Sequence, residues 1–184
     1  MNTQIDFKTT CFNDENIEKF YLHYRDCAKL FGCFYMGYIY ENLNTKSRLG
    51  FTTNPEWQSE YIGNHLVDSC HLWNAVSNYF LQTDNKHFIL QWKMIKPETS
   101  FQKDIVLYRE EIGIGQDGIS FCSNSGQSRE FLYFAPEKNE TAFMKYVSKN
   151  INIIKNIGKD FREASRKLIL NNSTLQDVPY EPSK

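Results

Sequence analysis

"DGISFCSNSGQSREFLYFA", residues 117–135, decides how this chain folds. Two runs rich in aromatic and aliphatic side chains, DGISFCSN and REFLYFA, flank the short loop Ser125-Gly126-Gln127, which is the pattern of a β-hairpin. A second pair lies upstream. "CFYMGYIY" (33–40) is short and aromatic, "ENLNTKS" (41–47) is turn material, and "RLGFTT" (48–53) returns as a strand. "HFILQW" (87–92), which includes Trp92, reads as a further strand. Helices fill the intervals. "NDENIEKFYLHYRDCAKLFG" (13–32) places Ile17, Phe20, Tyr24, Cys27 and Phe31 on one apolar stripe. A short helix starts at Pro55 and ends at Gly63-Asn64, since proline suits a first helical position. "LVDSCHLWNAVSNYFL" (66–81) reads as one helix, and "TSFQKDIVLYREEIG" (99–113) as another, with Thr99 or Ser100 as its cap. From Asn139 to about Leu170 the apolar spacing fits one long helix or two short ones, with Gly158 as the weak point. The strands neighbour one another as hairpins, not as βαβ units. The chain is therefore predicted to be α+β, with helices packed on an antiparallel sheet of about five strands. Residues 1–170 form one domain in this reading, and the polar, proline-bearing stretch 171–184 is a linker-like tail.

Bulk composition removes several classes of function. With 21 basic against 22 acidic side chains the net charge is −1, so no positive field exists to grip a phosphate backbone. The longest apolar stretch, around "LFGCFYMGYIY", is too short to span a bilayer. The N-terminal "MNTQIDFKTT" lacks the basic region and apolar run of a secretion signal. The five cysteines show no CxxC spacing and are expected to be reduced thiols in a cytoplasmic protein. Aromatic residues reach 15 %, with 14 Phe and 11 Tyr, enough to build a bulky core or to line a ligand cavity.

Catalytic signatures are weak. Gly113, Gly115 and Gly118 in "GIGQDG" have GxGxxG spacing but follow a helix and precede a strand, the reverse of the phosphate-binding context. They read as a helix stop followed by a turn. His65 and His71 share neither a helix face nor a standard zinc spacing, and Cys70-His71 point apart on a helix, which speaks against a thiolate–imidazole pair. No enzyme, cofactor or metal is expected. "TNPEWQSEY" (53–61) places Trp57 and Tyr61 one helical turn apart; such pairs commonly just pack.

Taken together and in order, "FTTNPEWQSEYIGNHLVDS", "FILQW" and "YREEIGIGQDGISFCSNSGQSREFLYFAP" resemble the autoinducer-binding domain of LuxR-type quorum-sensing regulators, over roughly residues 12–170. The resemblance implies an α-β-α sandwich with helices on both faces of the sheet. It also implies roles in binding an acyl-homoserine lactone or a similar small amphipathic signal. Trp57 would donate its indole N–H to the lactone carbonyl. Tyr61 would bring its hydroxyl to the amide carbonyl, and Asp68 would accept from the amide N–H. Trp92 would wall the head-group end, while Tyr38 and Tyr40 would line the acyl channel. Phe51, Ser120 and Tyr133 would complete the pocket, and Gly118 would permit the close turn into the hairpin. The chain departs from the family pattern where Asn54 directly precedes Pro55 without an intervening Tyr, and where Ser69, not Pro, follows Asp68. The helix-turn-helix that follows in the family is not found, so DNA would be reached only through a domain absent from this chain. A homodimer, or a heterodimer with a LuxR-type regulator, would follow from the same likeness. The alternative is an interaction or dimerisation module of the same fold that binds no ligand.

Overall fold

A computed structural model describes Leu22, residues 32–45 and residues 48–173. The helix expected over 13–32, apart from Leu22 and Gly32, lies outside those residues, as do Cys11, Cys27 and the tail from 174 onward. The strands β1 (Tyr35–Asn42), β2 (Arg48–Thr52), β3 (His87–Gln91), β4 (Ile119–Asn124) and β5 (Ser128–Ala135) form one sheet in the order β2-β1-β5-β4-β3. Every neighbouring pair is antiparallel. Helices α1 (Pro55–Gly63), α2 (Leu66–Ser69), α3 (His71–Gln82), α4 (Ser100–Glu111), α5 (Phe143–Lys149) and α6 (Ile151–Ser173) complete the described chain, with a 3-10 turn at Trp92–Met94.

Alternation along the strands splits the sheet into two faces. Tyr35 and Ile39 of β1 share one face with Phe131 of β5, Cys122 of β4 and Leu90 of β3, packed against Trp57, Val67, Trp73, Val76 and Ile105 of α1–α4. Met36, Tyr38, Leu132, Phe134 and Ile119 occupy the other face, against Phe143, Val147 and Ile154 of α5 and α6. The result is the α-β-α sandwich with helices on both faces.

One helix is broken where the apolar pattern suggested continuity, and the C-terminal region, where one long helix or two short ones fitted, divides away from the expected weak point. The expected helix 66–81 divides at Cys70, whose backbone is extended (φ −65°, ψ 123°). Val67 and Val76 are nine residues apart, so on one continuous helix they would face opposite ways. Both are buried in one core cluster, and the break at Cys70 is what re-phases them. The C-terminal helical region divides at Asn150, which leaves helical geometry (φ −125°, ψ 27°) and whose side-chain amide donates to the Tyr146 carbonyl at 3.1 Å. Gly158, the expected weak point, instead lies inside α6. A Cβ there would stand 2.4 Å from Leu132 Cδ2, so the missing side chain is what lets α6 lie close on β5.

Candidate functional site

The α1–α4 side of the sheet holds a cavity of about 60 Å³. Its floor is Tyr35, Ile39, Leu90, Ser120, Phe131 and Tyr133; its walls are Trp57 and Tyr61 from α1, Leu72, Trp73 and Val76 from α3, Cys70, Trp92, and Arg109 from α4. Asn54 sets the entry into α1: its side-chain oxygen accepts from the Trp57 backbone N–H at 3.0 Å, which satisfies a free first-turn donor and fixes the start of the helix. The Trp57 and Tyr61 rings then stack on the cavity wall, centroids 5.0 Å apart.

Five of the residues implicated by the resemblance meet here: Trp57, Tyr61, Trp92, Ser120 and Tyr133. Trp92 does not lie on β3 as expected but opens the 3-10 turn after it. Its indole N–H donates to Ser120 Oγ at 2.8 Å, in a buried bond that ties the turn to β4. Gly118 sits directly beneath that ring, where a Cβ would lie 2.3 Å from Trp92 Cδ2. Its φ is not positive, so steric room for the indole, not an unusual turn conformation, is what the position demands.

The others fall elsewhere. Tyr38 and Tyr40 point to the opposite face of the sheet and pack towards the α5–α6 side, so they line no channel beside Trp57. A strand shows period two but not which set of side chains faces which layer. Phe51 pairs with Tyr38 in the β1–β2 register; its side chain is outside the described ones. Asp68 does not reach the cavity. It is exposed, and its Oδ1 accepts from Arg48 Nη1 at 2.7 Å. Arg48 is itself buried, pairs with Glu41 at 2.9 Å and lies over the Trp73 ring at 4.6 Å. The carboxylate thus helps satisfy a buried guanidinium from β2, a partner 20 residues away that no local spacing reveals.

Sequence reasoning passed over Tyr35 and Arg109, and it weighed Cys70 and His71 only as a thiolate–imidazole pair, which it set aside. Arg109 carried a signal: four residues after Ile105 it falls on the buried stripe of α4. It is 8 % exposed, and its Nε has no hydrogen-bond partner. Its guanidinium carbon stands 5.3 Å from the Trp92 ring centroid. The end of α4 fixes its backbone. Gly113 adopts φ +89°, Ile114 N–H donates to the Arg109 carbonyl at 3.0 Å and Gly113 N–H to Glu110 at 3.1 Å, a left-handed helix stop as the glycine pattern suggested. His71 is buried with Nδ1 unpartnered. Burial first, and the Arg109 charge second, push its pKa down to about 4. Burial also pushes the Tyr35 hydroxyl up to about 12, and it holds Tyr61 well above the ordinary tyrosine value. Both hydroxyls therefore keep their protons as potential donors. Tyr35 Oη meets Tyr133 Oη at 3.5 Å. Cys33, Cys70 and Cys122 are buried free thiols.

A second, larger groove of about 490 Å³ runs outside the cavity, between α4 and the 3-10 turn. Leu72, Trp92 and Arg109 line both spaces and form the wall they share.

An α-β-α domain with an aromatic cavity between sheet and helices defines a fold class that solved structures share. The crystal structure of Escherichia coli SdiA matches with a TM-score of 0.58 at 14 % identity, covering 94 % of this chain and 69 % of that one. SdiA in complex with octanoyl-rac-glycerol matches at 0.56 and 14 %, covering 94 % and 67 %. CepR2 from Burkholderia cenocepacia, described as an N-acylhomoserine lactone dependent LuxR family transcription factor, matches at 0.52 and 11 %, covering 78 % and 84 %. No protein-family model and no curated protein matches the sequence. The fold of the chain is that of LuxR-family autoinducer-binding domains. Among the described residues no helix is long and apolar enough to cross a membrane.

Proposed function

We propose that the chain is a sensor domain that holds one small amphipathic molecule between the sheet and helices α1, α3 and α4. The composition of the cavity carries this reading: an aromatic and aliphatic wall with a few polar groups facing inward is how proteins orient small ligands. The fold adds support, since SdiA has been crystallised with octanoyl-rac-glycerol and CepR2 is described as dependent on an acyl-homoserine lactone. Trp57, Tyr61, Trp92, Ser120 and Tyr133 are the proposed contacts. Asp68 is not among them, because its exposed carboxylate is engaged by Arg48 and lies outside the cavity lining. The activity is binding without bond making, in the cytoplasm, with dimerisation and DNA contact belonging to the assembled regulator.

A cavity of about 60 Å³ has room for a few waters, whereas ligand pockets commonly run to about 300–1,000 Å³. Occupancy therefore requires the shared wall to part at Leu72 and Arg109, beside the tethered Trp92 ring, and join the cavity to the outer groove. The same small volume favours a second reading, in which the aromatic side chains fill the interior themselves and the domain acts only through protein contacts.

Thermal denaturation with a panel of C6–C10 acyl-homoserine lactones, monoacylglycerols and fatty acids separates the two. A ligand at a hundred times its dissociation constant adds about 2.7 kcal/mol, which for a chain of this size raises Tm by roughly 5–10 °C. Trp57→Phe should reduce that shift. No shift with any compound, together with no small molecule co-purifying with the protein by mass spectrometry, would leave the interaction module standing.

A further inference from the structure

We infer that the molecule held at this site is an anion, a small carboxylic acid with an apolar chain, and that Arg109 is its counter-ion. The inference rests on the sensor reading above and names the ligand class for that same site. The two buried arginines of the domain's α1–α4 side show the reason. Arg48 is paired with Glu41 at 2.9 Å and Asp68 at 2.7 Å, as befits a structural guanidinium, because a buried charge without a partner is strongly destabilising. Arg109 is as deeply buried. Yet among the described residues no carboxylate forms an ion pair with it, its Nε is unpartnered, and its guanidinium carbon stands 5.3 Å from the Trp92 ring centroid. A cation–π contact offsets only part of the cost of burying the guanidinium, and an anion would supply the rest.

The surroundings select for negative charge. The outer groove that shares Arg109 is lined by Lys93, Lys96 and Lys103 and by no acidic side chain. Lys93 meets Asp117 at 3.2 Å, outside that lining. On the inner side, the Tyr35 and Tyr61 hydroxyls line the cavity together with Arg109. A carboxylate accepts from a guanidinium through two parallel hydrogen bonds, and from hydroxyls through its remaining lone pairs. A lactone or glycerol ester offers only dipoles and would leave the guanidinium charge in place. The apolar chain then lies against Trp73, Val76, Leu90 and Phe131.

The test compares matched probes by calorimetric titration of the intact protein: octanoate against methyl octanoate, and N-octanoyl-homoserine with its free carboxylate against the closed N-octanoyl-homoserine lactone. Each acid is expected to bind at least tenfold more tightly than its neutral counterpart. Arg109→Met should remove that preference, weakening the acids at least tenfold while leaving the neutral compounds within a few-fold, and Arg109→Lys should restore part of it. Without ligand, Arg109→Met should melt at a higher temperature than the wild type, since it deletes the unpaired charge; this also reports that the variant folds. Tighter binding of octanoate alone identifies a simple fatty acid, and of N-octanoyl-homoserine alone a ring-opened acyl-homoserine. Neutral compounds binding as tightly as the acids would overturn the inference while keeping the sensor reading; no binding by any of the four would overturn both.

Discussion

At the scale of single residues, the site is organised by what lies around Trp92. The ring is held from one side by the bond from its N–H to Ser120 and supported from the other by the bare backbone of Gly118. Because the ring is buried and tethered, it cannot swing aside cheaply for a methyl group. Gly118→Ala is therefore expected to destabilise the domain by about 1–3 kcal/mol and to shift its tryptophan fluorescence. Urea denaturation followed by that fluorescence reads both, and an unchanged midpoint would mean the indole moves freely. This glycine was legible in the sequence as a required position, but the reason for it was not. A motif marks where a side chain is missing, while the neighbour that needs the space, here 26 residues away, emerges only once β3 and β4 are paired. Asp68 is the opposite case. Its residue type and neighbourhood suited an amide acceptor, yet Arg48 from β2 engages it. Arg109 was hidden for a related reason: inside "YREEIG" it reads as one more charge on a solvated helix, and only its phase relative to Ile105 marks it as buried.

At the scale of elements, local chemistry was the most readable. The hairpin of β4 and β5, the glycine stop after α4 and the cap before it all follow from short-range signals. Thr99 Oγ1 accepts from the Gln102 backbone N–H at 3.1 Å, and the Gln102 side chain accepts in return from the Thr99 backbone N–H, the reciprocal capping box. Thr99 is exposed, so its replacement removes the cap without opening a hole in the core. Thr99→Ala should cost about 1 kcal/mol, Thr99→Ser should cost much less, and neither should alter ligand affinity, because Arg109 lies at the far end of α4. Equilibrium denaturation of the two variants checks this; a loss of 3 kcal/mol or more would show that the cap holds tertiary contacts as well. The break at Cys70, and the place of the one at Asn150, were not legible because neither position carries Pro or Gly. Each helix pair keeps an apolar rhythm across its break, and it is the demand that residues such as Val67 and Val76 reach one core that forces the turn. The facing of β1 was undetermined for the same kind of reason: both of its side-chain sets are apolar, and the assignment of Tyr35 and Ile39 to the cavity, and of Tyr38 and Tyr40 to the other layer, is made by the helices.

At the scale of the whole molecule, the two layers differ in kind. The α5–α6 side of the sheet packs an apolar core and leaves a groove of about 460 Å³ between α6 and strands β3 and β4, whereas the α1–α4 side carries the aromatic cavity, a buried arginine with an unpartnered Nε and a buried imidazole. The second layer gives up stability at these polar groups, and its imidazole makes part of that cost depend on pH. His71 titrates near 6.5 when unfolded and near 4 in the folded domain. Between those values the unfolded chain binds the extra proton, so stability must rise with pH across the window. Read downwards, the contribution is intact above pH 6.5, is lost as pH falls towards about 4, and changes no further below that. The slope contributed by one group is at most about 1.4 kcal/mol per pH unit. Carboxylates titrate over the lower part of the same range, so the useful quantity is the difference between wild type and His71→Gln, measured by urea denaturation at pH 7.0, 5.5 and 4.5. The wild type should lose stability faster than the variant as the pH falls, by on the order of 1 kcal/mol at pH 5.5. Parallel curves would mean that the imidazole takes up its proton in the folded protein, through an opening of the groove wall formed by Leu72, Trp92 and Arg109.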